Sequence, residues 1–233
     1  MNTTSNHSTL VDRNDWEPQN LRDFQTFGDE TLQKARRNAG RFSEMVGTYS
    51  WEKPVSVPFW LVLTGPSGRG KTCLAKRLFQ WFQANLTGKQ YIRAGAVCYP
   101  TARFELWQNV IDRLRAGMNN ALDALIAADF AVIDDIGAEY STEFSTEKLA
   151  FVLERRQCKW TVVTSNLSLK EWADREPRIS SRLIRNGSIV VNIQAQDFST
   201  RLLSPAGNKE VSRVAKPIAT TTHNAPAGDF DYP

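Results

Sequence analysis

The sequence predicts an α/β fold, a three-layer sandwich with a parallel sheet between helices. Three observations predict it. Short runs rich in Val, Ile and Phe alternate with amphipathic helical segments along most of the chain, an order that gives parallel strands joined by crossover helices. The stretch "GPSGRGKT", residues 65–72, joins the apolar run "PFWLVLT" to a helical segment, as a phosphate-holding strand–loop–helix unit does. A second apolar run, "FAVIDD", ends in two acids, and ligands of such sheets gather at the C-terminal strand ends.

The elements follow in order. Residues 1–20 are polar and read as loose. In "DETLQKARRNAGRF", Leu32, Ala35, Ala39 and Phe42 share one helical face, and Asp29 can cap the start. "SWEKPVSVP" is a loop into a strand over 59–64. "KTCLAKRLFQWFQANL" is a helix carrying Leu74, Leu78 and Phe82 on one face, with Ala75 and Phe79 beside them. "AGAVC" reads as a short buried strand. "RFELWQNVIDRLRAG" reads as a helix with Phe104, Trp107, Ile111 and Leu114 aligned. "NALDALIAA" is a short helix feeding the strand "FAVID", and "STEKLAFVLERRQ" is a helix turning Leu149, Val152 and Leu153 inward. After the strand "WTVVTS", "SLKEW" opens a helix through a capping box from Ser168 to Glu171. "RISSRLIRNG" is a helix ending at Gly187, followed by the strand "SIVVNI". From about Leu203, Pro, Thr and small residues dominate without a period, so 203–233 reads as a disordered tail.

The bulk numbers narrow the class. The chain has 233 residues, enough for one α/β domain with short appendages. The N-terminus lacks an apolar core, so no secretory signal is expected. No run reaches about 18 apolar residues, so no membrane span is expected. Cys73, Cys98 and Cys158 form no CxxC pair, which points to reduced thiols in a cytoplasmic protein. The net charge of +4 mildly favours a polyanionic partner.

"GPSGRGKT" fits the phosphate-loop pattern at Gly65, Gly70, Lys71 and Thr72. Its backbone (Gly65, Pro66, Ser67, Gly68, Arg69 and Gly70, on to Cys73 in the helix) can curl N–H groups around a nucleotide phosphate. Lys71 then reaches the β- and γ-phosphates of ATP, and Thr72 ligates Mg²⁺. At the end of "FAVIDD", Asp134 is placed to hold Mg²⁺ through water and Asp135 to polarise an attacking water. "WTVVTSN" ends in a polar cluster of Thr164, Ser165 and Asn166, where an amide can orient the lytic water. Arg178, Arg182 and Arg185 fall at i, i+4 and i+7. That stripe is either a solvated face or a finger offered to a neighbouring subunit's γ-phosphate.

In combination, "FAVIDDIGAE", "VLERRQCKWTVVTSNL" and "RISSRLIRNG" resemble the DnaC-type helicase loaders of the AAA+ initiator group, and the related IstB transposition helpers share much of this pattern. The likeness runs from about Phe24 to Leu202. It implies an AAA+ ATPase core at 49–202, preceded by a flexible segment at 1–48 with a short helix, a possible helicase-binding region. It implies Walker A roles for Lys71 and Thr72, Walker B roles for Asp134 and Asp135, and a sensor role for Asn166. Arg182 matches a trans-acting arginine finger, with Arg178 as second choice. The implied partners are a hexameric replicative helicase, single-stranded DNA and further copies of the chain. Walker B reads Asp-Asp where many AAA+ proteins have Asp-Glu, and no large C-terminal helical lid follows the last strand. A transposition helper remains the alternative function; a small-molecule kinase would not need "TSN" plus "RISSRL", and a hydrolysis-dead switch is disfavoured by Asp135, Asn166 and Arg182. For DNA contact, "YPTARFELWQNVIDRLR" mixes Tyr99, Phe104 and Trp107 with Arg103, Arg113 and Arg115. Phe104 and Trp107 also fit a core face, so Tyr140 and Phe144 are the better stacking candidates.

Overall fold

A computed structural model describes residues 29–53, 58–118, 120–137 and 142–197. The expectations for residues 1–28, Tyr140 and the 203–233 tail lie outside these.

The elements run α1 (Glu30–Gly47), β1 (Trp60–Thr64), α2 (Lys71–Asn85), β2 (Tyr91–Arg93), β3 (Ala96–Cys98), β4 (Ala102–Leu106), α3 (Trp107–Arg115), α4 (Asn120–Ala127), β5 (Phe130–Ile136), α5 (Glu143–Arg155), β6 (Trp160–Ser165), α6 (Leu169–Arg175), α7 (Pro177–Leu183) and β7 (Ile189–Asn192). Five strands make one parallel sheet in the order β4-β5-β6-β1-β7. Successive residues of a strand point to opposite faces, and β1 illustrates the result. Leu61 and Leu63 join the layer built by α1 and α2, while Trp60 and Val62 join the layer built by α3 to α7. Both faces are covered, so the central strands read as unbroken apolar runs.

α1 begins where the Asp29 carboxylate accepts the N–H groups of Thr31 and Leu32. Its stripe of Leu32, Ala35, Ala39, Phe42 and Val46 is buried against α2 and β7. Across this layer Phe82 stacks on Phe130 at 4.5 Å and Phe42 meets Trp160 edge-on at 5.5 Å.

Three elements differ from expectation. "AGAVC" is not a buried strand. Ala94 and Gly95 both adopt positive φ, 52° and 80°, which closes a two-residue hairpin between β2 and β3. That hairpin leaves Ile92 and Val97 exposed. "RFELWQNVIDRLRAG" is split: 102–106 form edge strand β4, so Phe104 lies on the sheet against Phe79 rather than on the helix. The strand is anchored by the Asp129 carboxylate, which accepts the N–H and O–H of Thr101 at 2.8 and 2.9 Å. Trp107 opens α3 fully buried and donates its indole N–H to Ser145 Oγ at 3.1 Å, which makes it a core residue. "RISSRLIRNG" is also split: α7 stops at Leu183, and a 3₁₀ turn spans Arg185–Gly187.

Arg156 is buried completely. Its guanidinium donates to the carbonyls of Leu125 (2.6 Å), Ala128 (2.9 Å) and Trp160 (2.8 Å) and to Thr161 Oγ1 (3.1 Å). Burial pulls its pKa below the ordinary arginine value, with Asp129 opposing. The acceptor array keeps it charged, and the charge sits favourably at the C-terminal end of α4. Truncating it strands several buried carbonyls, each costing about 1–3 kcal/mol. Arg156→Ala is therefore expected to destabilise the fold by about 3 kcal/mol or more, read as a lowered denaturant midpoint.

Candidate functional site: a phosphate loop facing two carboxylates

The loop at 65–70 is shaped by backbone approach. Gly65 sits at φ 128°, and a Cβ there would run into the Ile193 carbonyl. Gly70, at φ 82°, is the N-cap of α2, and no side chain caps that helix. Its first-turn N–H groups and the positive end of its dipole are left for an anion. Pro66, Ser67 and Gly68 form the exposed tip, and Arg69 donates to the Ala195 carbonyl. Cys73 is an exposed free cysteine one residue past Thr72.

Lys71 is buried, and its ammonium donates to Gly65 O (2.6 Å), Pro66 O (2.7 Å) and Asn166 Oδ1 (2.9 Å). Burial lowers its pKa, while Asp135 and Asp134 oppose that. Asn166 uses its other end to donate to Asp135 Oδ1. Lys71, Asn166 and Asp135 thus form one hydrogen-bonded chain linking α2, the end of β6 and the end of β5. Thr72 donates its hydroxyl to Asp134 Oδ1 at 2.9 Å.

The acids are aimed by a bulge. β5 and β6 stay in register to Ile133↔Val163, then resume at Ile136↔Ser165, so β5 carries one extra residue beside the site. Asp135 takes φ 61° there, a left-handed conformation that Asp tolerates better than most residues. Thr164 completes the arrangement. Its Oγ1 donates to Asp134 Oδ1 (2.7 Å) and accepts the Asp135 N–H (2.8 Å). The sequence flagged Thr164 only as part of a polar cluster. A buried hydroxyl near the C-terminal end of β6 was the available signal; the bulge that gives it two partners has none.

The residues fit ATP and Mg²⁺. The uncapped helix start and Lys71 suit phosphates. Thr72 Oγ1 and Asp134 are hydrogen-bonded to each other, and a pair of oxygen donors suits Mg²⁺, which keeps several waters of its own. Among the described residues no cluster of three or more His, Cys, Asp or Glu offers a tighter metal cage. Arg182 and Arg178 make no hydrogen bond or ion pair with this group. Arg182 donates Nε to Glu154 Oε2 at 2.8 Å, and Arg185 reaches the same oxygen at 3.3 Å. Arg185 lies beyond the end of α7, in the 3₁₀ turn, yet it still meets Arg182 at Glu154. No helix among the described residues is long and apolar enough to cross a membrane.

A parallel sheet in this order, a phosphate loop after β1 and an acid pair ending β5 define a P-loop ATP-binding protein of the AAA+ type. The family model described as IstB-like ATP binding protein matches residues 47–178, and the chain belongs to that family. No curated protein matches the sequence. Among solved structures the fold is similar to the DnaC helicase loader, with 19% identity, TM-score 0.54, and coverage of 80% of this chain and 99% of that one. It is also similar to DnaI, with 22% identity, TM-score 0.52, and coverage of 70% and 84%. AMPPCP-bound DnaA from Aquifex aeolicus follows, with 16% identity, TM-score 0.54 and 78% of this chain covered. The chain spans about half, 53%, of that DnaA structure.

Burial, then Asp134, push the Asp135 carboxyl above the usual carboxylate range, against Lys71 and Asn166. The folded chain then holds this proton more tightly than the unfolded chain. The associated stability is present at low pH and is lost as pH rises through the raised value. Asp135→Asn is expected to melt at the same temperature or higher at pH 7 without nucleotide, yet to lose ATP turnover by about 100-fold or more. Thr164→Val leaves both acids short of a partner and is expected to cost about 2 kcal/mol in a thermal melt, with Thr164→Ser restoring most of it.

Proposed function

We propose that this protein is an ATP-hydrolysing switch of the helicase-loader kind, acting on a hexameric replicative helicase and single-stranded DNA. The observation that carries the reading is the hydrogen-bonded chain Lys71–Asn166–Asp135. It couples phosphate sensing to the acid that activates water, as a switch needs and a passive nucleotide holder does not. The similarity to the DnaC helicase loader, over nearly its whole length, supports the choice of partner. A DnaA structure described as bound to AMPPCP and single-stranded DNA supports the choice of nucleic acid.

Chemically, the site divides the labour by position. Lys71 exchanges its loop carbonyls for the β- and γ-phosphates of ATP. Thr72 and Asp134 would hold Mg²⁺, which would supply positive charge to offset that building on the phosphate oxygens. Asp135 accepts from the attacking water, and Asn166, released by Lys71, orients it. Arg182 leaves Glu154 and stabilises the transition state at a neighbouring copy's γ-phosphate, a contribution of roughly 10³–10⁵ in related NTPases. The active site is completed only in the oligomer.

For DNA, the better candidates lie on α5. Phe144, Lys148, Phe151 and Arg155 recur at i, i+4, i+7 and i+11, and both rings are exposed. Lys148 and Arg155 sit over the two rings at 5.3 and 5.4 Å. Exposed rings alternating with cations suit stacked bases and a phosphate backbone. Arg113 and Arg115 are instead paired with Glu105 and Asp112. Phe144→Ala and Phe151→Ala are each expected to weaken binding of a fluorescent oligothymidine by about 5- to 100-fold, the range for one stacked base.

The second reading is the one the sequence resemblance left open, an ATPase helper of DNA transposition, and membership of the IstB-like family is compatible with it. Native mass spectrometry of the protein with ATP, Mg²⁺ and its host's replicative helicase separates the two. A stoichiometric complex that Lys71→Ala weakens is the expected result. No complex, with ATP binding intact, overturns the loader reading in favour of the transposition one.

A further inference from the structure

α1 turns a basic stripe to solvent. Lys34, Arg37 and Arg41, at i, i+3 and i+7, are exposed, and among the described residues none of the three pairs with an acid. Glu30 and Glu44 lie near the ends of the stripe. On the opposite layer, a groove of about 600 Å³ runs between α5 and the α6–α7 junction. Glu143, Glu147 and Glu176 line it, together with Thr146, Ala150 and Arg178. Of these acids, Glu147 has a partner in Lys148, at a loose 3.7 Å.

One chain cannot join these surfaces, because α1 and the α5–α7 layer cover opposite faces of the sheet. Two copies can. Opposite surfaces with complementary charge produce a head-to-tail contact, which closes into a ring or continues as a filament. The placement also suits the chemistry. α1 sits beside the nucleotide loop: Gln194 N–H donates to Thr31 Oγ1 at 2.9 Å, and Arg69 of the loop donates to the adjacent Ala195 carbonyl. Arg178 of α7 lines the groove, and Arg182 follows it one turn later on the same helix.

We infer that the basic stripe of α1 in one copy docks into the Glu143–Glu147–Glu176 groove of the next. This contact brings the α7 arginines of the second copy to the phosphate loop of the first. The inference rests on the shared-site reading above and names the surface that builds it. Rim charges of this kind set register and association rate, so the contact weakens as salt rises.

Charge reversal tests it in the full-length protein, by sedimentation velocity with ATP and Mg²⁺. One variant carries Lys34→Glu, Arg37→Glu and Arg41→Glu; a second carries Glu143→Lys and Glu147→Lys. All five positions are exposed, and an unchanged melting temperature checks folding. Each variant alone is expected to assemble at least tenfold more weakly than wild type. An equimolar mixture is expected to assemble again, because every contact between unlike variants pairs opposite charges. Single variants that assemble like wild type, or a mixture that stays dispersed, overturn the inference while leaving the shared-site reading standing. An α1 variant that assembles normally but loses oligothymidine makes the stripe a nucleic-acid surface and also overturns it. A wild-type protein that never assembles with ATP removes both.

Discussion

One threonine hydroxyl holds the geometry on which the rest of the site depends. Thr164 Oγ1 satisfies the backbone N–H of Asp135 and donates to the carboxylate of Asp134. Without a polar partner at that point, the extra residue in β5 would leave a buried N–H unpaired beside two acids. With it, the bulge is stable and the two carboxylates diverge. Asp134 turns to Thr72 on α2, and Asp135 turns to Asn166 at the end of β6. The sheet and α2 are therefore scaffolding for a few hydrogen bonds at three adjacent strand and helix ends.

The same bonds explain how two neighbouring carboxylates and a buried ammonium coexist. Lys71 satisfies all three of its protons on two loop carbonyls and Asn166, so its charge is solvated by the protein itself. A phosphate must replace those partners, and its negative charge is better than theirs. Because Asn166 bridges the ammonium and Asp135, that replacement is felt at the acid. In the proposed mechanism, nucleotide occupancy and the readiness of Asp135 as hydrolytic base are coupled across this one amide.

Much of this was legible in the sequence. The phosphate loop, the acid pair, Asn166 and the capping box at Ser168 rest on local patterns, which local backbone chemistry enforces. The stripes of α1, α2 and α5 were legible because burial repeats with helical period. Where reading failed, the deciding interaction was non-local or the run was short. "AGAVC" is too short to separate a core strand from a hairpin arm, and Ala94 is not a residue that advertises positive φ. The residues of β4 sit beside a strong helix, so Phe104 was drawn into the helical period. Arg156 was invisible as a structural clamp, because its acceptors are carbonyls on α4, in the loop after it and at the start of β6. Thr164 was seen, but its role depends on a register shift between two strands.

In the proposed assembly one copy supplies the phosphate loop and the next supplies the arginine. The most direct measurement mixes Lys71→Ala, which lacks a working loop but keeps its arginine, with Arg182→Ala, which keeps its loop but lacks the arginine. Steady-state ATP hydrolysis is measured for each variant and for the mixture. Two nearly inactive variants and a mixture that turns over ATP are expected, because some interfaces pair an intact loop with an intact Arg182. A mixture no faster than the sum of its parts, or an Arg182→Ala protein as fast as wild type, contradicts that assembly.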